Sequence, residues 1–222
     1  MVQYRVLAAA VAVSALFLYG CSRTPDFVAK EEPWRDRDER SCLASGQVQA
    51  SPFVTTRSAL GGPSACGALR PFEMSAAVGG RVPLKPAAVL QCAMVPAVDN
   101  WVQNVVEPAA RYFLRVPLAE LKVAASYACR PMNGISGGKL SEHGHANAID
   151  ISAFTFANGR TITVKAGWYG AEDERQFLRA VHKGSCSVFT TVLGPLADSH
   201  HRDHFHMDLA HHGRDGQMRI CK

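Results

Sequence analysis

None of the seven cysteines lies in a C-x-x-C pair, which leaves a zinc–thiolate cluster or a dithiol redox motif without support. The apolar stretch from Val6 to Tyr19 holds fourteen residues, short of the roughly 20 that a membrane-spanning helix needs. There is no internal repeat, so solenoids and propellers are excluded. Charge of one sign is also scarce. With 24 basic and 19 acidic residues the formal net charge is only +5, the basic residues are scattered, and no nucleic-acid-binding motif occurs. Nucleic acid is not an expected partner.

What is present describes a folded chain of one ordinary domain plus a leader: 222 residues, 47% hydrophobic and 19% charged. Residues 1–20 read as a signal peptide, with Arg5 ahead of a short apolar core and Gly20 at its end. Leu18-Tyr-Gly-Cys21 resembles a bacterial lipobox. That resemblance implies a lipidated Cys21 holding the protein to a membrane, with ordinary secretion as the alternative, and Ser22 after it resembles outer-membrane sorting. The expected location is the periplasm. Setting Cys21 aside leaves Cys42, Cys66, Cys92, Cys129, Cys186 and Cys221, an even number in an exported chain, hence disulfides. Neighbour pairing (42 with 66, 92 with 129, 186 with 221) is the simplest of the connectivities.

Residues 21–41 read as a flexible tether, being polar and charged with Pro25 and Pro33; the folded domain is then 42–222. Residues 42–90, rich in Gly and Pro, suggest loops and short strands. Apolar residues at helical spacing predict a helix over 97–114, kinked or divided at Pro108. Strands are expected over 121–127, 148–156, 161–164 and 205–210, with the third and second joined by a turn at Asn158-Gly159, and a helix over 171–183. Such a mixture points to a compact α+β domain, an antiparallel sheet flanked by helices.

Two segments concentrate the chemistry. Ser141–Asp150 and His201–Asp208 together hold five of the nine histidines and four of the nineteen acids. Alternation along a strand puts Ala148, Asp150 and Ser152 on one face and Ile149 and Ile151 in the core. The same parity puts His204, His206 and Asp208 together, opposite Phe205 and Met207. If both strands face one place, His143, Asp150 and His206 form a His2Asp set with an open position, the form of catalytic zinc sites. Such an ion would acidify water and polarise a carbonyl, with His204 beside it as base. Asp208 stays open between a turn residue and an orienter. His145, His182, His200, His211 and His212 are read as surface or structural residues.

The spacing His143-x6-Asp150 with His204-x-His206 resembles the metallopeptidase superfamily that contains lysostaphin-type enzymes, D-Ala-D-Ala peptidases and sonic hedgehog. The whole domain resembles the extensin-like C-terminal family through Tyr127-Ala-Cys-Arg130, Ser141-Glu-His143, Asn147-Ala-Ile-Asp150, Val192-Leu-Gly-Pro195 and His204-Phe-His206. The resemblance implies Zn2+ on His143, Asp150 and His206, Arg130 as an anion contact, and peptidoglycan or another cell-wall peptide as substrate. For the base it leaves two residues open: Asp203-x-x-His206 is similar to one branch, His201-x-x-His204-x-His206 to another. It also leaves open a non-catalytic, metal-containing binding module. Ala146 departs from the superfamily, which usually has Gly there.

Overall fold

The computed structural model describes residues 26–30, 32–62 and 65–222. The expected leader and Cys21 lie outside the described residues.

Among the described residues thirteen strands run in chain order: β1 (Phe27–Val28), β2 (Val54–Thr56), β3 (Leu60–Gly61), β4 (Gly67–Ala68), β5 (Phe72–Ala77), β6 (Val82–Leu90), β7 (Leu118–Ala125), β8 (Gly138–Lys139), β9 (Ala148–Phe156), β10 (Thr161–Thr163), β11 (Thr191–Leu193), β12 (Phe205–Asp208) and β13 (Ile220–Cys221). Nine of them form one sheet, ordered β13-β11-β12-β9-β7-β6-β5-β2, with β10 on the second half of β9. The sheet is mixed, not wholly antiparallel as expected, because β6 with β7 and β11 with β13 run parallel. The α+β class stands.

Five α-helical segments among the described residues accompany it: α1 (Pro33–Ser45), α2 (Met94–Trp101), α3 (Glu107–Ala109), α4 (Val164–Gly167) and α5 (Glu172–Ser185). α2 and α3 belong to a single helical run over 94–114, with π-helical turns at Val102–Val106 and Ala110–Leu114. Pro108, which brings no N–H, does not divide the run; the turns on either side widen instead. α5 follows the expected range closely. Trp101 Nε1 donates to Ser185 Oγ at 2.8 Å, tying this run to α5. Both pack on the sheet face that carries Phe154, whose ring meets Phe177 edge-on at 5.2 Å. Phe205, Met207, Ile149 and Ile151 are fully buried there.

β9 serves both faces through a bulge. Val123 pairs with Ile151 and Lys122 with Ala153, so Ser152 is the extra residue. Upstream of it Ile149 and Ile151 point to the core and Asp150 away; downstream the parity reverses, and Phe154 and Phe156 enter the core. The expected alternation therefore holds as far as the bulge.

Three further expectations are corrected. Residues 33–45 form α1 instead of a tether: Pro33 takes the first turn, Gly46 in the left-handed region ends the helix, and the buried Glu39 carboxylate accepts from the backbone N–H of Leu69 and Arg70, each at 3.0 Å. Ordered structure thus begins upstream of Cys42. The disulfides join Cys42 to Cys92, Cys66 to Cys129, and Cys186 to Cys221, so of the neighbour pairs only the last occurs. The Cys42–Cys92 bond ties α1 to the residues that lead into α2. Residues 42–90 likewise hold two full strands, β5 and β6, in a hairpin.

Candidate metal centre

Asp150 and His206 are direct neighbours across β9 and β12. His143 comes from a 3-10 turn, Glu142–His145, which opens with Ser141 Oγ accepting from the His143 N–H and closes with Ala146 in the left-handed region. Ala146 has φ 52 and is fully buried, so the departure from glycine is accommodated with the backbone conformation that glycine favours.

The three side chains converge. His143 Nε2 lies 3.1 Å from Asp150 Oδ2, His206 Nδ1 lies 2.9 Å from Asp150 Oδ1, and the two ring nitrogens are 3.2 Å apart. A tetrahedral ion with bonds of about 2.0–2.1 Å needs donors about 3.3 Å from one another, so this triangle is close to the required size. The outer nitrogens fix the tautomers. His143 Nδ1 faces the carbonyl oxygen of Ser126 at 2.5 Å, and His206 Nε2 faces Asp208 Oδ2 at 3.0 Å. Both partners only accept, so each outer nitrogen carries a proton and each inner one can turn a lone pair inward. Asp208 Oδ1 is itself held by the Ala210 N–H at 2.9 Å.

A carboxylate and two imidazole lone pairs packed this closely need a positive charge among them. Without a metal, a proton fills that need. Burial alone would lower the His206 value, but hydrogen bonds and charge from Asp150 and Asp208 outweigh it and push the ring up to about 10. For Asp150, burial acts upward, yet His143 and His206 hold it well below the usual carboxylate range. The donor set fits a small divalent cation that would displace the proton.

Around the triad is a cavity of about 540 Å3, lined on its several sides by Arg130, Met132, His201, His204, Thr191 and His212 among others. His204 Nδ1 faces Asp203 Oδ1 at 2.8 Å, leaving Nε2 directed inward, 3.6 Å from Asp150 Oδ2. Asp203 does not line the cavity; its side chain is 61% exposed. Of the two residues left open as base, His204 is the one at the site and Asp203 stands behind it. Arg130 lies on the cavity wall, its guanidinium making, among the described residues, a single 3.4 Å hydrogen bond to the Pro131 carbonyl.

Some residues carry no assigned role from the sequence, His201 having entered only within the spacing His201-x-x-His204-x-His206. His201 is buried at the cavity edge, 5.3 Å from the His204 ring centre to centre, with Nδ1 on Asp198 Oδ1 at 2.8 Å. Burial keeps its value below the ordinary one against the pull of Asp198. Asp198-x-x-His201 is the signal that could have marked it. His200 and His212, read as surface residues, also reach the cavity, His212 through Thr191 Oγ1 at 2.6 Å. Nothing in the sequence marks Ser126, whose contribution is a backbone carbonyl. A second group of donor atoms, His182, Cys186 and Cys221, contains a disulfide and offers no thiolate.

A family model described as extensin-like protein C-terminus matches residues 40–222. No curated protein and no solved structure matches the chain.

Proposed function

The chain belongs to the extensin-like protein C-terminus family, and from that footing we propose that it is a zinc-dependent peptidase or amidase acting on peptides of the bacterial cell wall, of the Hedgehog/D,D-peptidase kind. The observation that carries the reading is the inward pair of imidazole nitrogens, His143 Nε2 and His206 Nδ1, both within 3.1 Å of the Asp150 carboxylate. These three residues would hold the ion. When bound, it supplies Lewis acidity, acidifying water and polarising an amide carbonyl.

The remaining work falls to the chain. His204, with Nδ1 committed to Asp203, has Nε2 free to accept a proton from the attacking water and to return it to the departing amine. Its place beside the triad supports catalysis over a purely binding role, since a binding module has no need of a base there. Arg130 on the cavity wall suits a substrate carboxylate or the negative charge that develops on the carbonyl oxygen. His201, kept neutral by burial and oriented by Asp198, is a further donor or acceptor for the same substrate.

The proposal includes export and a lipid anchor at Cys21. Three disulfides support an oxidising compartment, where the wall peptides are found. The test is zinc content and muropeptide products of the wild type against His143→Ala. Loss of bound zinc and of cleavage is expected; undiminished digestion by the variant would sink the peptidase reading. Stoichiometric zinc with no turnover on any wall peptide would favour the binding module.

A further inference from the structure

The two halves of the metal centre come from distant parts of the chain, and α1 touches both. At one end Arg35 makes a bidentate pair with Glu142, Nη1 to Oε2 at 2.7 Å and Nη2 to Oε1 at 2.6 Å. Glu142 immediately precedes His143 and also accepts from Asn147 Nδ2 at 2.6 Å, so one carboxylate spans the ligand turn from start to finish. On its other contact α1 meets the segment after β12. Trp34 stacks on His211 at 3.9 Å and 7°, and Asp38 Oδ2 lies 3.2 Å from His211 Nε2. The residues on either side of His211, Ala210 and His212, line the cavity.

α1 is itself anchored independently of these contacts, through Cys42–Cys92 and through Glu39. The anchor leads back to the ligand turn. Gln91, next to Cys92, donates its backbone N–H to the Ala146 carbonyl at 2.8 Å and its side-chain amide to Asn147 Oδ1. The turn bearing His143 is therefore gripped on one side by Arg35 and on the other by the segment to which α1 is disulfide-bonded. The Arg35–Glu142 pair is largely shielded, with side chains 17% and 12% exposed, so solvent screens it far less than a surface pair.

We propose that α1 is a clip that sets the spacing between the two halves of the metal centre, with Arg35 and Trp34 as its positioning residues. This rests on the reading of His143, Asp150 and His206 as metal ligands. The consequence is that the segment ahead of the catalytic domain tunes metal affinity without touching the ion. A change that pulls on α1 acts on His143 through Glu142.

The experiment measures zinc dissociation constants by competition with a chromophoric chelator, on the exported protein with its disulfides intact. Arg35→Ala and Glu142→Gln should each weaken zinc about tenfold, the lower end of what is seen when groups supporting a ligand are removed. Arg35→Lys, which keeps a cation beside Glu142, should lose less than Arg35→Ala. Arg160→Ala, which removes ion pairs to Asp173 and Glu174 away from the site, should leave the constant unchanged. A folded Arg35→Ala protein with wild-type zinc affinity overturns the clip, as does a folded Arg35→Lys protein that binds zinc no better than Arg35→Ala. Amide hydrogen exchange over Glu142–Asn147, followed in the metal-free protein, is read in parallel. Arg35→Ala should speed exchange in that turn even if the wild type binds no zinc, which would sink the ligand reading alone; unaltered exchange overturns the clip.

Discussion

His206 stands directly across from Asp150 in the pairing of β12 with β9, its Nδ1 2.9 Å from Oδ1 although the two are 56 residues apart in the chain. Sheet register, not proximity in sequence, makes them a pair, and the same register turns Asp208 toward the back of the imidazole. The position of the proton between them would govern how the site takes up the proposed metal.

Zinc uptake should depend on pH in a defined direction. The His206 value is raised to about 10 from the ordinary 6.5, so in the metal-free protein its contribution to stability is complete below the ordinary value and is lost as pH rises through about 10. Coordination at Nδ1 requires the proton to leave. Binding at pH 8 should release about one proton, and apparent affinity should rise about tenfold per pH unit between 7 and 9. Calorimetry in two buffers of different ionisation enthalpy reads the proton directly; zero release contradicts the assignment. For Asp150, whose value is depressed, the linked stability is present above the ordinary carboxylate range and is lost on acidification.

Removing the outer partner of His206 should loosen the metal without deleting a ligand. Asp208→Ala frees Nε2 from its acceptor, letting the ring take the other tautomer, and zinc affinity should fall about 10–100-fold. Asp208→Asn, which keeps an acceptor oxygen, should lose less. Chelator competition at fixed pH distinguishes the two.

His204→Ala should leave zinc content unchanged while lowering turnover on a wall peptide about 10^2–10^4-fold. Asp203→Ala, acting through orientation from an exposed position, should cost about tenfold. Equal losses would indicate that Asp203 itself reaches the substrate.

Ala146→Gly should keep the fold and the metal. The left-handed conformation costs a non-glycine residue about 1–2 kcal/mol, against about 0.4–1 kcal/mol of extra unfolded-chain entropy that glycine brings. A net gain of up to about 1.6 kcal/mol follows, seen as a rise of about 3–6 °C at most in melting temperature. Ala146→Val, β-branched at φ 52, should instead melt several degrees lower.

How far the site could be read in advance depended on the kind of signal each residue leaves. Asp150 and His206 sit in strands with one apolar face, so the alternation Ile149, Ile151 and Phe205, Met207 told which way they point. The break in that alternation at Ser152 is visible in the same string, since the apolar positions shift from odd to even at Phe154, but it takes the pairing with β7 to show the bulge. α1 was missed because its sequence, Pro33-Trp-Arg-Asp-Arg-Asp-Glu-Arg40, has no apolar stripe. It is held by ion pairs, one buried carboxylate and a disulfide, none of which has a period. The Pro33 and Gly46 that bound it were there to be read.

By itself the sequence determined the α+β class, most of the strands and helices from residue 97 onward, and two segments carrying a candidate ligand set, because burial leaves a periodic trace in the order of residues. Only the tertiary structure decided which nitrogen of each histidine faces inward, that His204 and not Asp203 stands at the cavity, which cysteines meet, and that α1 joins the two halves. Those depend on contacts between residues far apart in the chain, where a single carbonyl such as that of Ser126 fixes a tautomer and no pattern along the chain records it.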